Sequence, residues 1–380
     1  MEIESTSTDQ ITEDRIAAIR LAMVSGVGPR IRQSLIERFG SAIEVFLAGP
    51  SELREVKGVG PKLMNAIVRA VDEIDVPAEI QRCRENGIRI LIETDDDYPR
   101  MLKEVCDPPG VLFVRGELRE TDGLSVAIVG TRHPTTYGRQ QAERLAGCLA
   151  RAGLTVISGL ARGVDGVAHR GAIDAGGRTV AVLGSGVMNI YPPEHKNLAD
   201  DIAQSAGAVV SENPPLTAPQ GGMFPQRNRI ISGMTLGTIV IEAAYRSGAL
   251  ITARHAMEQN REVFALPGRV DNRMAGGCNR LIRDGATLIE SVDDVLEQLG
   301  PLVEPIAGSG DDGRTVRSPA ELQLNDIERA ILDLVEADGT PIDTVITGSG
   351  MAAHQVIATL SVLEMRRLVR RTGGGTVVRI

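Results

Sequence analysis

Glycine, hydroxyl-bearing and arginine residues recur directly after the short apolar runs in the middle of this chain. They are Gly130, Thr131 and Arg132 after the first run, Ser158, Gly159, Arg162 and Gly163 after the second, Gly184, Ser185 and Gly186 after the third, and Ser247 and Gly248 after a later one. Glycine lets backbone N–H groups approach an anion closely, hydroxyls add donors, and arginine offers a planar pair of donors to phosphate. These loops therefore predict a site that binds phosphate groups.

A compact basic cluster, Arg227, Asn228 and Arg229, lies just before the predicted helix or loop that leads to residue 238. We expect Arg227 and Arg229 to bind consecutive phosphates. The alternative is a pair of structural arginines bound to Glu212 or Glu242. The chain has only four Tyr, five Phe and no Trp, so extensive base stacking is not expected and contacts to a phosphate backbone should dominate.

Catalytic and metal-binding arrangements are not indicated. The five histidines lie on different predicted elements and the four cysteines have no paired spacing, so we expect no metal site. Gly184-Ser185-Gly186 lacks the third glycine of a dinucleotide fingerprint and the spacing of a nucleophile elbow. We therefore expect no cofactor and no enzymatic activity.

Seven short apolar runs alternate with helical segments from residue 124 onward. The runs cover residues 126–129, 155–157, 179–183, 208–210, 238–241, 263–266 and 287–289. This alternation is typical of an α/β fold with a mainly parallel sheet covered by helices. Ligands bind such sheets beyond the carboxyl ends of the strands, which is where the phosphate-binding loops stand.

Two smaller modules flank this unit. Residues 1–75 predict short helices with two similar turns, Gly26-Val27-Gly28-Pro29 and Gly58-Val59-Gly60-Pro61, which indicate helix-hairpin-helix motifs. Residues 76–302 form the main α/β domain, 303–322 a flexible linker, and 323–380 an arrangement of three helices and a hairpin that predicts a winged helix. Either flanking module could bind DNA or serve packing and protein contacts.

The charge of the chain is unevenly distributed. The net charge is −9, yet residues 125–290 carry 17 Lys and Arg against 13 Asp and Glu. The middle of the chain is thus the basic part, as a nucleic-acid site requires. The first ten residues are polar and acidic, and no apolar run reaches the roughly 18 residues of a membrane helix. We expect a cytoplasmic protein without membrane contact.

The order of these motifs resembles the DNA-processing protein A (DprA/Smf) family. The resemblance covers roughly residues 95–290, from Gly130-Thr131-Arg132 to Pro267-Gly268. It implies an extended Rossmann-like domain that binds single-stranded DNA, forms a homodimer and loads the RecA recombinase in natural transformation or recombination. It also implies that Arg132 is the principal phosphate-binding arginine. Family members often carry a basic residue directly after Tyr-Pro. Here Pro193-Glu194-His195 intervene before Lys196, which is the candidate for that role.

Two other functions stay open. Gly237-Thr238 before Glu242 is similar to a motif of Rossmann-like nucleoside monophosphate phosphoribohydrolases, but this chain has one residue more in the spacing and no preceding Gly-Gly pair. The other possibility is a scaffold that binds protein partners through its C-terminal domain.

Overall fold

The computed structural model describes residues 12–300, 324, 326–336, 339–365, 368–372 and 375–379. Its N-terminal part consists of six helices: α1 (Glu13–Met23), α2 (Pro29–Phe39), α3 (Ala42–Leu47), α4 (Pro50–Glu55), α5 (Pro61–Glu73) and α6 (Val76–Glu85). Both predicted turns lie where expected, and α2 and α5 each begin with the proline of the turn. The turns pack on one another, because Leu63 lies against Gly26 and Ile31 lies against Gly58. The predicted helix-hairpin-helix pair is confirmed.

The middle of the chain is built on a nine-stranded sheet. Its strands are β1 (Ile88–Ile92), β2 (Val111–Gly116), β3 (Ser125–Gly130), β4 (Thr155–Ser158), β5 (Thr179–Val182), β6 (Gly207–Ser211), β7 (Gly237–Ile241), β8 (Glu262–Ala265) and β9 (Thr287–Leu288). They lie in the order β1-β2-β6-β5-β4-β3-β7-β8-β9. The strands from β6 to β9 in this order are parallel, whereas β1 and β2 are antiparallel additions at one edge. The mainly parallel α/β sheet is thus confirmed; the sequence reading missed β2.

Helices cover both faces of this sheet. They are α7 (Arg100–Lys103), α8 (Thr136–Arg151), α9 (Val164–Asp174), α10 (Lys196–Asp201), α11 (Met223–Gly233), α12 (Ala249–Glu258), α13 (Gly276–Arg283) and α14 (Val292–Leu299). Successive residues of a strand point to opposite faces. Val126 and Ile128 of β3 therefore pack with α8, α9 and α14, whereas Ala127 and Val129 pack with α11, α12 and α13. Full burial of a Val or Ile side chain contributes about 1.5–3 kcal/mol.

Strand β3 is the point where the chain changes direction across the sheet. From β3 the chain adds β4, β5 and β6 on one side, and it then returns to place β7 on the other side of β3. Such a switch leaves a crevice at the carboxyl ends of the strands, where no crossover covers the sheet. The loop after β3 begins at Thr131, so the predicted phosphate-binding residues Thr131 and Arg132 lie at this crevice.

The C-terminal part contains α15 (Asp326–Leu332), β10 (Thr340–Pro341), α16 (Ile342–Ser349), α17 (Ala353–Met365), β11 (Val369–Thr372) and β12 (Thr376–Arg379). The three strands pair in the order β10-β12-β11 and pack with the helices around a separate apolar core that includes Leu360, Leu363 and Val377. Three helices and a hairpin confirm the predicted winged helix. The predicted linker, residues 303–322, lies outside the described residues.

Candidate nucleic-acid interface

A cleft of about 750 Å³ opens at the switch point beyond the carboxyl end of β3. Of the predicted residues it brings together Gly130, Thr131, Arg132, Arg227, Asn228, Ser247 and Gly248. A small recess beside it adds Gly159 and Arg162. The remaining candidates, Ser158, Gly163, Gly184, Ser185, Gly186, Lys196 and Arg229, line neither the cleft nor the recess.

Together with Arg246, Arg132 is an exposed cation of this cleft. Its Cζ lies 5.8 Å from the centroid of the Phe224 ring, a distance at which a guanidinium is attracted to an aromatic face. Within the described part of the chain, no carboxylate forms an ion pair with Arg132. The guanidinium is therefore positioned by an aromatic ring and keeps its donors available for a ligand.

Buried hydrogen bonds fix the conformation of the loop after β4. The Ser158 hydroxyl donates to the carbonyl oxygen of Ile128 at 2.6 Å, and the Asp165 carboxylate accepts hydrogen bonds from the backbone N–H groups of Gly159 and Ala161. Asp165 is buried, which raises the pKa of its carboxyl group. These groups shape the loop, and Ser158 offers no free hydroxyl to the cleft.

Gly163 packs this loop against the loop after β3. Its φ of 79° lies in the left-handed region that favours glycine, and a Cβ atom there would meet the carbonyl oxygens of Thr131 and Arg132. The residue begins α9 as its N-cap. Gly163 thus positions the Arg132 loop and does not itself face the cleft.

Arg227 lies in α11, with only 4% of its surface exposed. Its Nη1 donates to the carbonyl oxygen of Gly159 at 2.7 Å and also to that of Val182. Burial lowers the pKa of Arg227 to about 10, so the side chain stays charged at neutral pH. The guanidinium joins the carboxyl ends of β4 and β5 and forms part of the cleft wall.

Arg229 is buried in the same helix and is paired with two carboxylates. Its Nη2 lies 2.5 Å from Oε2 of Glu212, and its Nε lies 3.6 Å from Oδ2 of Asp107. This ion pairing disfavours the expectation that Arg227 and Arg229 bind consecutive phosphates, because Arg229 is buried with its carboxylates, whereas Arg227 still lines the cleft. Arg229 has the structural role that was the alternative, with Glu212 as its partner.

The loop Gly184-Ser185-Gly186 was expected to bind phosphate. In the structure it is buried, and its polar groups form hydrogen bonds with other parts of the protein. The Ser185 hydroxyl donates to the carbonyl oxygen of Asn189 at 2.6 Å, and the Gly186 N–H donates to that of Thr217 at 2.9 Å. Gly184 lies against the Phe224 ring. The loop therefore supports Phe224 from behind, because its small residues leave room for the aromatic side chain.

Two aromatic rings form a platform between the cleft and the recess. The centroids of Tyr191 and Phe224 are 5.4 Å apart, with the rings inclined at 43°. The Cζ atom of Arg162 lies 5.9 Å from the Tyr191 centroid, so Arg162, Tyr191, Phe224 and Arg132 form one row. We call this row the aromatic platform. The sequence reading missed it, although each ring directly precedes a proline within the recognised motifs.

Arg162 forms an ion pair with Glu194 at the mouth of the recess. Both its Nε and its Nη2 contact the Glu194 carboxylate, the latter at 3.1 Å. The hydrogen bond with Arg162 lowers the pKa of Glu194. Lys196 is exposed at the start of α10, two residues beyond Glu194, and does not line the cleft.

The acidic and histidine side chains near the cleft are bound by structural partners. Asp165 accepts hydrogen bonds from loop amides, and Nδ1 of His169 lies 2.6 Å from the Thr179 hydroxyl. Glu242 lies outside the cleft and accepts hydrogen bonds from Thr135. In the described ranges, no cluster of His, Cys, Asp or Glu has the composition of a metal site, and none of the helices there is long and apolar enough to cross a membrane.

Known proteins match the chain over most of its length. The profile of the DNA recombination-mediator protein A family matches residues 89–300, a DprA winged helix domain matches 315–375, and a SAM-like helix-hairpin-helix tandem matches 18–73. Protein Smf of Synechocystis is 35% identical over 381 residues, which cover 93% of this chain and 96% of that protein.

Two solved structures are similar as well. DNA processing protein A from Streptococcus pneumoniae aligns with a TM-score of 0.65 and 33% identity, covering 76% of this chain and 98% of that one. The protein of the same name from Helicobacter pylori, whose structure concerns its single-stranded DNA binding mode, aligns with a TM-score of 0.51 and 30% identity, covering 57% and 97%. The extent of these matches shows that the chain belongs to the DNA recombination-mediator protein A family.

Proposed function

We propose that the cleft binds single-stranded DNA, with Arg132 as its main phosphate contact. The observation that carries this proposal is an exposed guanidinium without a carboxylate partner among the described residues, at the switch point of the sheet and beside an aromatic ring. The Helicobacter pylori relative is described with a single-stranded DNA binding mode. A charge-assisted hydrogen bond to phosphate is roughly twice as strong as a neutral one.

Further contacts come from the opposite wall of the cleft. Ser247 and Gly248 stand at the start of α12, where the helix dipole favours a negative charge. Asn228 lies nearby, with its amide donating weakly to the Gly248 carbonyl at 3.3 Å. A strand that enters between Arg132 and α12 thus meets donors on both sides. Arg162 becomes an additional contact where phosphate displaces Glu194.

The aromatic platform gives the cleft a preference for single strands. Base stacking on an aromatic side chain contributes about 1–3 kcal/mol per base and tolerates any sequence. A base within a duplex reaches Tyr191 or Phe224 only after unstacking, which costs a few kcal/mol. We therefore infer that unpaired DNA binds more tightly than duplex.

The biological role in this proposal rests on family membership. We infer a non-enzymatic mediator that acts in the cytoplasm as a homodimer and loads RecA recombinase onto the bound strand. The buried surroundings of Ser158 and Ser185 support a non-enzymatic role, because neither hydroxyl faces the cleft.

The decisive experiment is fluorescence anisotropy of a labelled oligothymidine and a matched duplex at several salt concentrations. The proposal expects tighter, salt-sensitive binding of the single strand. It also expects that Arg132→Ala weakens this binding and reduces the log–log salt slope by about 0.7 for each phosphate that the variant no longer neutralises. Arg151→Ala is the matched control, because Arg151 is exposed at the C-terminal end of α8, at the opposite edge of the sheet.

Three results would contradict the proposal. The absence of binding at low salt would contradict DNA binding itself, and an unchanged slope in Arg132→Ala would place the DNA site elsewhere. Release of free base from AMP, abolished by Glu242→Gln, would support the phosphoribohydrolase alternative. Given tight DNA binding, RecA filament assembly on the same oligonucleotide, with and without the protein, then tests the loading role.

A further inference from the structure

A second cavity, of about 650 Å³, lies at the same edge of the sheet on the side of β8. Its walls include Thr135, Tyr137, Glu242, Leu266, Asn272 and Ala275, and none of its lining residues belongs to the DNA cleft. The two spaces are adjacent, because the Thr131 N–H of the cleft donates to the Glu242 carbonyl oxygen at 2.8 Å. We call this space the Glu242 cavity.

A buried carboxylate sets the chemistry of the Glu242 cavity. Only 4% of Glu242 is exposed, and its two oxygens accept hydrogen bonds from the N–H and the hydroxyl of Thr135, at 2.8 and 2.5 Å. Within the described ranges Glu242 forms no ion pair. A carboxylate offers about four acceptor positions, so about two are left for a ligand. Arg269, the cation among the lining residues, is already paired with Asp271 at 2.7 Å. The free acceptor positions of Glu242 therefore favour a group that presents neighbouring N–H donors.

The other walls suit a flat, partly apolar ligand. Leu266 and Ala275 are buried apolar residues, and Tyr137 stands at the rim with 46% of its surface exposed, ready to stack on a ring. The Asn272 side chain lines the cavity and accepts from the Met274 N–H through Oδ1 at 2.9 Å, which leaves its amide N–H groups as the donors for a ligand. The lining thus includes an acceptor pair, an amide side chain and an aromatic ring.

We propose that the Glu242 cavity binds a guanine base. Guanine presents N1–H and N2–H side by side for the carboxylate and a carbonyl oxygen for the amide of Asn272. Thymine offers a single N–H between two carbonyl oxygens, which a carboxylate repels. The base comes either from the DNA strand in the neighbouring cleft or from a free guanine nucleoside. The first source rests on the proposed DNA binding, and the second does not.

The test compares bases at constant charge in the full-length protein. One arm measures the anisotropy of an oligothymidine and of the same oligomer with a single guanine, moved along the strand. The other arm measures binding of guanosine and thymidine, which carry no phosphate, by calorimetry. Glu242→Gln and Tyr137→Ala are the test variants. Tyr245→Ala is the control, because Tyr245 is an exposed aromatic residue that lines neither space.

The outcomes separate the two sources. If the base comes from the strand, one guanine position should tighten binding about tenfold, equivalent to about 1.4 kcal/mol. Both test variants should lose this preference, while their oligothymidine affinity and salt slope stay unchanged. If the nucleoside is free, guanosine should bind the wild type and not Glu242→Gln. Equal binding of guanine and thymine in both arms would overturn the proposal, whereas oligothymidine binding would still report separately on the DNA cleft.

Discussion

Arg229 and Glu212 form a buried ion pair, with Nη2 of the arginine 2.5 Å from Oε2 of the glutamate. Asp107 adds a second carboxylate to this arginine, and burial raises the pKa of Glu212. Arg132 has the opposite environment, since it is exposed and has no carboxylate partner in the described structure. Two arginines near one cleft thus have different roles, which their substitutions should separate.

We expect Arg229→Ala to lower the free energy of unfolding by about 3–5 kcal/mol, because it leaves buried carboxylates without their cation. Urea denaturation measures this loss. At temperatures where the variant is folded, its salt slope for single-stranded DNA should equal that of the wild type. Arg132→Ala should show the reverse, with a reduced slope and unchanged stability. A reduced slope in Arg229→Ala would restore the expectation that this arginine binds phosphate.

In the proposed complex, phosphate has to displace Glu194 from Arg162. The two side chains pair at the mouth of the recess, and the Arg162 guanidinium lies over Tyr191. Glu194→Gln removes the competing charge, so we expect tighter binding of single-stranded DNA. The log–log salt slope should steepen by about 0.7, the value for one added phosphate contact.

A matched substitution controls for the general change in net charge. Asp174→Asn neutralises an exposed carboxylate at the C-terminal end of α9, away from the cleft. It should leave the salt slope unchanged. Equal slopes in Glu194→Gln and the wild type would show that Arg162 does not reach the strand.

Substitution of Arg227 should lower both the stability of the protein and its affinity for DNA. Replacement by Met keeps the length of the side chain but leaves the carbonyl oxygens of Gly159 and Val182 without a donor. Each buried carbonyl without a partner costs about 1–3 kcal/mol, so unfolding should become easier by about 2–6 kcal/mol. DNA affinity should fall as well, because the loop after β4 loses its attachment to β5.

Urea denaturation and anisotropy test this prediction together. Asn228→Ala is the control for the urea measurement only, because Asn228 itself lines the cleft. Substitution of this partly exposed residue should change stability by less than about 0.5 kcal/mol. Wild-type stability in Arg227→Met would contradict the anchoring role.

The sequence predicted the seven parallel strands and the location of Arg132, because β-branched runs and the residues that follow them are local signals. It missed β2, a short run whose pairing with β1 and β6 is antiparallel and distant along the chain. It also could not decide between a phosphate contact and a buried ion pair for Arg229. That decision depends on Glu212, 17 positions away, and on Asp107. The aromatic platform likewise joins Tyr191 and Phe224, which only the fold brings together.

His169 should make the stability of the protein sensitive to pH. The ring is fully buried, Nδ1 lies 2.6 Å from the Thr179 hydroxyl, and Nε2 has no hydrogen-bond partner among the described residues. Thr179 uses its own proton to donate to the Val156 carbonyl oxygen. Nδ1 is therefore assigned as the protonated nitrogen. Burial lowers the pKa of His169 from 6.5 to about 3.

The sign of the effect follows from which state binds the proton. Between about pH 6.5 and pH 3 the unfolded chain protonates this histidine and the folded chain does not, so acid favours unfolding. The contribution of His169 should fall by about 1.4 kcal/mol for each pH unit across this window. His169→Asn keeps a donor for Thr179 and has no titrating group. The unfolding free energy of the wild type, minus that of the variant, should therefore decrease steadily from pH 6 to pH 4 in urea titrations. His133→Asn, at an exposed position, is the control and should show no such trend. A constant difference between the wild type and His169→Asn would mean that the buried ring accepts a proton in the folded state.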